Sequence, residues 1–438
     1  MLDIKFIRNN PEIVKIAAKD KKVNVDIDKV LTLDERRRHV LRELEDKRAE
    51  QNKKSNLRAG GKPSPDEIVE LKKLKDEIKI LEEEIGRVEV DLEKLMLIVP
   101  NIPSDDTPIG SNETGNKVLR QWGKPRIFSA EGEDFQPKEH FELGEELDLI
   151  DTERASQISG ARFGYLKRDL VLLEFALIQF ALNVLTDERT LKKISRSINS
   201  DINPKPFIPV VPPVFIKPEV FQKMARLEPK EERYYIQSDD LYLIGSAEHT
   251  LGPLHMDQVI NEKDLPIRYV GFSTSFRREA GSYGRDTRGI LRVHQFDKIE
   301  AESFTLPENS IKEQDFLVAI QEYLLQSLEL PYQVVAVCTG DMGGPDARQI
   351  DIETWMPGQN RYRETHSADL VTDYQARRLN TRVRRGDQLE FVHMNDATVF
   401  AIGRTIIAIM ENYQTKEGTI KIPKVLRKYM SGVKEMKN

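Results

Sequence analysis

The chain has 438 residues, enough for a large core and two or three domains. Its 67 Lys/Arg against 73 Asp/Glu give a net charge of −6, so any contact with a nucleic acid must be local. A single cysteine, Cys338, excludes an intrachain disulfide and a cysteine-rich zinc site and fits a reducing cytosol. The opening stretch, "MLDIKFIRNNPEIV", carries charges where a secretory signal needs an apolar run.

Residues 27–98 read as an antiparallel helical hairpin. Leu71, Leu74, Ile78, Leu81, Ile85, Val88, Leu92, Leu95 and Val99 recur in alternating steps of three and four, a heptad seam among Glu and Lys. Val30, Leu33, Val40 and Leu44 repeat it more weakly, and "AGGKPSP" at 59–65 separates the helices. Arms of about 32 residues would be roughly 48 Å long, so the hairpin is expected to project. Between Glu35 and Lys62 there are ten Lys/Arg and five Asp/Glu, with clusters at Arg36-Arg37-Arg38 and Lys53-Lys54. A basic helix pair suits recognition of double-stranded RNA by shape and backbone. The alternative is a coiled coil used only for dimerisation.

"IVPNIPSDDTPIGSNETGN" at 98–116 reads as a linker. "LVLLEFALIQFALNVL" at 170–185 contains Glu174, Gln179 and Asn183, and reads as a buried helix rather than a membrane span. "PFIPVVPPVFI" at 206–216 is extended, with prolines that restrict it to an edge or interface. Residues 271–279 and 290–300 read as the strands of a hairpin around a long polar loop. Residues 332–340, 349–356 and 387–394 read as further strands, and 400–414 as a helix. That order predicts an α+β domain built on an antiparallel sheet.

The hairpin carries the chemistry. Strand alternation puts Ser275, Arg277 and Glu279 on one face, and Arg292, His294, Phe296, Lys298 and Glu300 on one face of the other strand. If the two faces coincide, Arg277 offers a fork for phosphate or carboxylate and Phe296 a flat surface for a base. Glu279 can accept from an exocyclic amine, and Glu300 can meet an ammonium or hydroxyl. "LYLIGSAEHT" places Ser246 and Glu248 at a strand's end, and "RYRETHSADL" supplies Glu364 and Ser367, oxygen donors suited to Mg²⁺ on a triphosphate. "HMNDATVFAIGR" adds Asn395, Asp396, Thr398 and Arg404; Arg404 would cover a base or hold a terminal phosphate. His294, His366 and His393 lack ligand spacing, which argues against zinc.

"FRREAGSYGRDTRGILRVHQFDKIE" at 276–300 resembles motif 2 of class II aminoacyl-tRNA synthetases, in the form found in the seryl-tRNA synthetase family. "MLDIKFIRNNPEIV", the helical arm, "VPNIPSDDTPIG", "HFELGEELDLID", "SGARFGYLKRDL", "IDIETWMPGQNRYRE", "TDYQARRLNTR" and "GRTIIAIMENYQ" extend the resemblance over nearly the whole chain. It implies a tRNA-binding domain at 1–100 with a coiled-coil arm at 27–98, a linker at 101–116, and a class II catalytic domain at 117–438. It implies a cytoplasmic, non-membrane homodimer that uses ATP, Mg²⁺ and L-serine to charge tRNA-Ser, with tRNA-Sec as a further candidate acceptor. No zinc is implied.

Carried over residue by residue, the family puts Arg277 on the α-phosphate and the serine carboxylate. Glu279 accepts from adenine, Val293 meets it through its backbone, and Phe296 and Arg404 sandwich it. Arg278, Glu364, Thr365, His366 and Ser367 complete the ATP site, with Glu364 and Ser367 on Mg²⁺. Ser246, Ala247, Glu248, Glu300, Asp396 and Thr398 surround serine. Arg36, Arg37, Arg38, Lys53 and Lys54 contact tRNA, and Pro213 is the motif 1 proline of the dimer interface.

The chain departs from the family pattern in three places. Ser246 replaces the usual Thr. Residues 366–370, His-Ser-Ala-Asp-Leu, differ from the usual segment. Asp396 takes an Asn position, so either Asp396 faces the amino acid or Asn395 turns inward. Two rivals are a relative that loads a carrier protein, which would lack the arm, and a non-catalytic RNA-binding protein, which would lack the ATP contacts.

Overall fold

The computed structural model describes residues 1–56, 64–126, 128, 135–280, 286 and 288–437. The chain divides into two compact units, Met1–Ile102 and Pro103–Asn438.

In the first unit, short helices at Ile4–Asn9 and Pro11–Asp20 precede two long ones, α1 (Ile27–Asn56) and α2 (Pro65–Ile98). Part of the "AGGKPSP" break, with the rest of 57–63, lies outside the described residues. Ser64 starts α2: its hydroxyl accepts from Glu67 N, the Glu67 carboxylate accepts from Ser64 N, and Pro65 occupies the first turn, where no N–H is needed. Arg36 pairs with Glu84, Lys47 with Glu77 at 2.7 Å, and Lys54 with Glu70. Numbers rise along α1 as they fall along α2, so the helices are antiparallel. The heptad seam is what they share. Val30, Val40 and Leu44 on α1 are buried, as are Leu74, Ile78 and Leu92 on α2. Leu81, Ile85 and Val88 are half-buried, because two helices cannot fully cover one another.

The second unit is built on an eight-stranded sheet. Its strands are β1 (Lys117–Trp122), β2 (Ile208–Val210), β3 (Ile267–Phe276), β4 (Gln295–Thr305), β5 (Tyr332–Ala336), β6 (Arg348–Met356), β7 (Arg361–Thr372) and β8 (His393–Ala401). Their spatial order is β1-β5-β6-β7-β8-β4-β3-β2, antiparallel throughout except for β2 against β3. The proline-bearing segment is thus an edge strand, as its composition requires. Helices α3 (Asp169–Thr186), α4 (Ser310–Ser327) and α5 (Ile402–Tyr413) supply one side of the core, against Val270, Ile299, Ala301, Ala368, Ala397 and Phe400 of the sheet. The apolar segment at 170–185 is therefore a packed helix, with Leu170, Leu173, Leu177, Ala181 and Leu185 buried. Glu174 on α3 is pushed up to about 8 by burial and by Asp297. Arg268 and Glu313, both without exposed side-chain surface, tie β3 to α4 through a two-armed pair.

Alternation then dictates the other face of the sheet. Lys298, Glu300 and Glu302 on β4 face the same way as Thr398 and Asp396 on β8, since Glu300 opposes Thr398 and Glu302 opposes Asp396. A register shift between Ile299 and Glu300 keeps both halves of the strand pair in this phase.

Several expectations shift. The hairpin strands are β3 and β4, not 271–279 and 290–300. Beyond Phe276 the chains stay in contact through Arg277 N donating to His294 O at 3.0 Å, but Glu279 has φ of +51°, which ends the strand. The stretch at 387–394 is two strands. Gln388–Phe391 joins a small sheet with Arg382–Arg385, and β8 begins at His393. Residues 400 and 401 complete β8, and the helix starts at Ile402. Ser246 lies beyond the end of strand Leu241–Leu243, and Glu248 opens a short helix, Glu248–Leu251. Residues from 103 to 116 are bonded into the second unit: Ser104 N donates to Ala347 O and Gly340 N to Gly110 O.

Candidate active site

The end of the β3–β4 hairpin opens into a pocket lined by Arg277, Glu279, Val293, Phe296, Lys298, Glu364, Thr365, Thr398 and Arg404. The two hairpin faces do coincide. Ser275 opposes Phe296, and the Arg277 guanidinium lies 5.4 Å from the Phe296 ring centre. Arg277 Nε donates to Gly245 O at 3.1 Å, which aims its fork beside Ser246. Glu279 accepts from Arg292 Nη1 at 3.1 Å. Arg404 enters from the first turn of α5, donating to Glu364 O at 2.9 Å and pairing with Glu364 Oε1 at 3.1 Å. Desolvation by the pocket walls works against ionisation of Glu364 although half its side chain is exposed, yet Arg404 and Arg277 hold its carboxyl below the usual range. The pocket therefore combines two guanidinium groups, an aromatic face and a half-exposed carboxylate.

Lys298 and Thr398 lead from this pocket to a second, deeper group of polar residues. Ser246 Oγ lies 3.1 Å from Glu300 Oε2 and 3.3 Å from Glu248 Oε2, and accepts from Lys298 Nζ at 3.0 Å. Its single proton serves one carboxylate at a time. Thr398 Oγ1 is 3.5 Å from Glu300 Oε1. Burial pushes Glu300 up to about 7, with Lys298 opposing and Glu248 adding to the rise. Glu248 responds the other way: burial raises it, but Arg226, His249 and Lys298 hold it well below the ordinary range.

Gly271 lets this group assemble. It opposes Glu300, and a Cβ there would meet Leu251 Cδ1 at 2.8 Å and the buried Ala247 Cβ at 3.2 Å. Without a side chain at 271, the segment that carries Ser246 and Glu248 rests directly on β3.

The alternatives at 395 and 396 are resolved by the pleat. Asn395 points to the helical side, where its Nδ2 donates to Ser310 O at 2.8 Å. Asp396 points to the polar side, where an oxygen lies within 4.8 Å of oxygens of Glu248 and Glu300. Arg226 is the counter-charge. Its Nη2 lies 3.0 Å from Asp346, 3.2 Å from Asp369 and 3.4 Å from Asp396, and its Nε 3.5 Å from Glu248.

Other candidates lie elsewhere. Arg278 stacks over Tyr234, and His366 is buried against Phe400, with burial lowering its imidazole to about 3. Neither lines the pocket among the described residues. Ser367 lies on the polar face opposite Asp351, and its Oγ is 3.2 Å from Asp369 Oδ1. Glu364 and Ser367 offer the carboxylate and hydroxyl oxygens that Mg²⁺ accepts, but Glu364 alone of the two lines the pocket. In the arm, Arg36 pairs with Glu84, Arg37 and Arg38 with the buried Asp34, and Lys54 with Glu50 and Glu70. These are pairs within the arm; most are exposed, and such pairs exchange readily for other anions.

The sequence reading missed Arg226 and the central place of Lys298. Lys298 was detectable: it precedes Glu300 by one alternation on a strand already assigned to the site. Arg226, in "KMARLEPK", carries no local signal.

Two family models match the chain. One describes a seryl-tRNA synthetase N-terminal domain at residues 1–103, and the other a tRNA synthetase class II core domain (G, H, P, S and T) at 232–413. A serine--tRNA ligase of Thermodesulfovibrio yellowstonii is 40% identical over 98% of this chain and 99% of its own length. The crystal structure of a seryl-tRNA synthetase from Pyrococcus horikoshii complexed with ATP is 38% identical. It covers 100% of this chain and 99% of its own, with a TM-score of 0.88. A cytoplasmic serine-tRNA ligase from Naegleria fowleri in complex with AMP is 32% identical over 100% of this chain and 99% of its own, with a TM-score of 0.86. The second unit is a class II synthetase core, the first carries the coiled-coil arm, and the chain belongs to the seryl-tRNA synthetase family of aminoacyl-tRNA synthetases.

Proposed function

We propose that the chain charges tRNA-Ser in two steps. The serine carboxylate attacks the α-phosphorus of ATP, giving seryl-adenylate and pyrophosphate. The terminal ribose hydroxyl of the tRNA then attacks the acyl carbon, the acyl–phosphate bond breaks, and AMP leaves. Neither step needs a covalent enzyme nucleophile, so catalysis is positioning and charge stabilisation. The observation that carries this reading is the continuity, through Lys298 and Thr398, between a guanidinium–aromatic pocket and the Ser246–Glu248–Glu300 group.

Adenine lies against Phe296, with Arg404 on its other side and Glu279 and the Val293 backbone at its edge. Arg277 bridges the α-phosphate and the serine carboxylate. Glu248 and Glu300 take the serine ammonium and hydroxyl, with Ser246 and Thr398 beside them. Buried partners of this kind reject alanine, which would leave them unpaired. Glu364 and Ser367 would hold Mg²⁺, which when bound would neutralise charge on the phosphate oxygens.

The chain works as a cytoplasmic homodimer. Ile208, Val211 and Phe215 on the motif 1 segment and Leu172 and Phe175 on the adjacent α3 are exposed, Val211 to 81%, and a second copy would cover them. The arm holds tRNA-Ser through phosphate contacts from Arg36, Arg37, Arg38, Lys53 and Lys54.

The test is Arg277→Ala. Serine-dependent exchange between ATP and pyrophosphate should fall by about 10³-fold, with the thermal unfolding transition unchanged. Retained exchange would refute the phosphate role of Arg277.

A further inference from the structure

We propose that Arg226 is a positioning residue for the amino acid: one guanidinium gathers Glu248, Asp346, Asp369 and Asp396 and thereby fixes the carboxylates that face serine. The inference rests on the reading that serine binds at Ser246, Glu248 and Glu300.

The four carboxylates come from separate segments. Glu248 opens a short helix, Asp346 precedes β6, Asp369 is on β7 and Asp396 on β8. Arg226 Nη2 is within 3.4 Å of an oxygen of each of the three aspartates, and its Nη1 is 3.5 Å from Asp346 Oδ2. Its Nε faces Glu248 Oε1 at 3.5 Å, outside hydrogen-bond geometry, and His249 Nε2 lies 3.5 Å from the same oxygen, while Oε2 faces Ser246. A planar fork spreads its donors over three nitrogens in fixed directions, so it can bridge oxygens from separate segments; an ammonium gathers its three donors on one atom and lacks that fork.

The backbone that presents Arg226 is itself held. Arg233 Nε and Nη2 donate to Arg226 O at 3.1 and 2.8 Å, and Gln375 Nε2 donates to Met224 O at 2.9 Å. The guanidinium is thus anchored from behind and from the front.

Among the described residues the other nearby cations are already engaged, Arg233 on Arg226 O. Glu302 opposes Asp396 across the strand pair, has no exposed surface, and neither of its oxygens has a hydrogen-bond partner among the described residues. Lys298 Nζ is taken by Glu300 at 2.6 Å and by Ser246. Arg226 therefore compensates the two departures, Asp369 and Asp396, together. Burial and the neighbouring carboxylates push Asp369 and Asp396 well above the usual range and Arg226 opposes that rise, so removing it drives both further toward the protonated form or toward Lys298 and the substrate ammonium.

The test measures KM for serine and for ATP in pyrophosphate exchange, on the full chain. Arg226→Lys keeps the charge but loses the fork, so the protein should fold. Serine KM should rise roughly 10-fold or more, while ATP KM stays within about 2-fold. Arg226→Gln should raise serine KM further, and adding Asp369→Asn should return it toward the Arg226→Lys value, because charge balance is restored. Unaltered serine KM in Arg226→Lys, or equal rises in serine and ATP KM, would overturn the positioning role. A wild-type protein without serine-dependent exchange would overturn the functional reading and this inference with it; an active wild type with insensitive variants overturns this inference alone.

Discussion

Lys298 Nζ lies 2.6 Å from Glu300 Oε2, inside a group where both side chains are buried. Burial dominates, and pushes Glu300 up from its ordinary 4.5 to about 7 despite the lysine. The folded protein therefore binds this proton more tightly than the unfolded chain. The group's contribution to stability is complete below about 4.5 and fades as pH rises through about 7. Function runs in the opposite direction, because the ionised carboxylate is what meets an ammonium. The kcat/KM for serine should rise between pH 6 and 8 with a midpoint of about 7. In Glu300→Gln that inflection should disappear and kcat/KM should drop roughly 30-fold or more. A pH–rate profile of both proteins checks this, and an unchanged inflection in the variant would assign it to another group.

Gly271→Ala should be costly although it adds one methyl group. The new Cβ would meet Leu251 Cδ1 at 2.8 Å and Ala247 Cβ at 3.2 Å, and so push the Ser246–Glu248 segment away from Glu300. We expect a loss of about 1–3 kcal/mol of stability and a higher serine KM with little change for ATP. Denaturant unfolding and steady-state exchange measure the two effects. A variant with wild-type serine KM would show that the segment does not need this close approach.

Much of the site was legible because its information is local. Phe296, Lys298 and Glu300 sit on one strand, where alternation places them on a common face, and Arg277 and Glu279 follow the paired strand within three residues of its end. The arm was legible for a similar reason: a heptad seam is a short-range pattern repeated many times. What was hidden depends on contacts distant in sequence. Arg226 meets Asp346, Asp369 and Asp396 at separations of 120, 143 and 170 residues. The strand β8 was hidden by its own polarity. Asn395 and Asp396 are poor strand residues by propensity, and they are tolerated because one bonds to α4 and the other faces the polar side of the site. Where the sequence suggested one strand and then a helix, the central strand of the site lies between them.

The arm and the catalytic unit should be separable in function. Deleting residues 30–97 should leave serine-dependent adenylate formation within about 3-fold of wild type, because every side chain of the pocket belongs to the second unit. Charging of tRNA-Ser should be lost. The wild-type KM for tRNA should also rise steeply with salt, as phosphate contacts require. Unchanged charging by the deletion variant would remove the arm from tRNA recognition.

The most direct measurement is amino-acid-dependent exchange of pyrophosphate into ATP, with serine, threonine, alanine and glycine tested in parallel on the purified wild-type protein. Exchange should occur with serine alone, which would establish adenylate formation and show that Asp369 and Asp396, held by Arg226, are compatible with serine. No exchange with any of the four, in a folded protein that still binds tRNA, would contradict the ligase reading and leave a non-catalytic RNA-binding protein in its place.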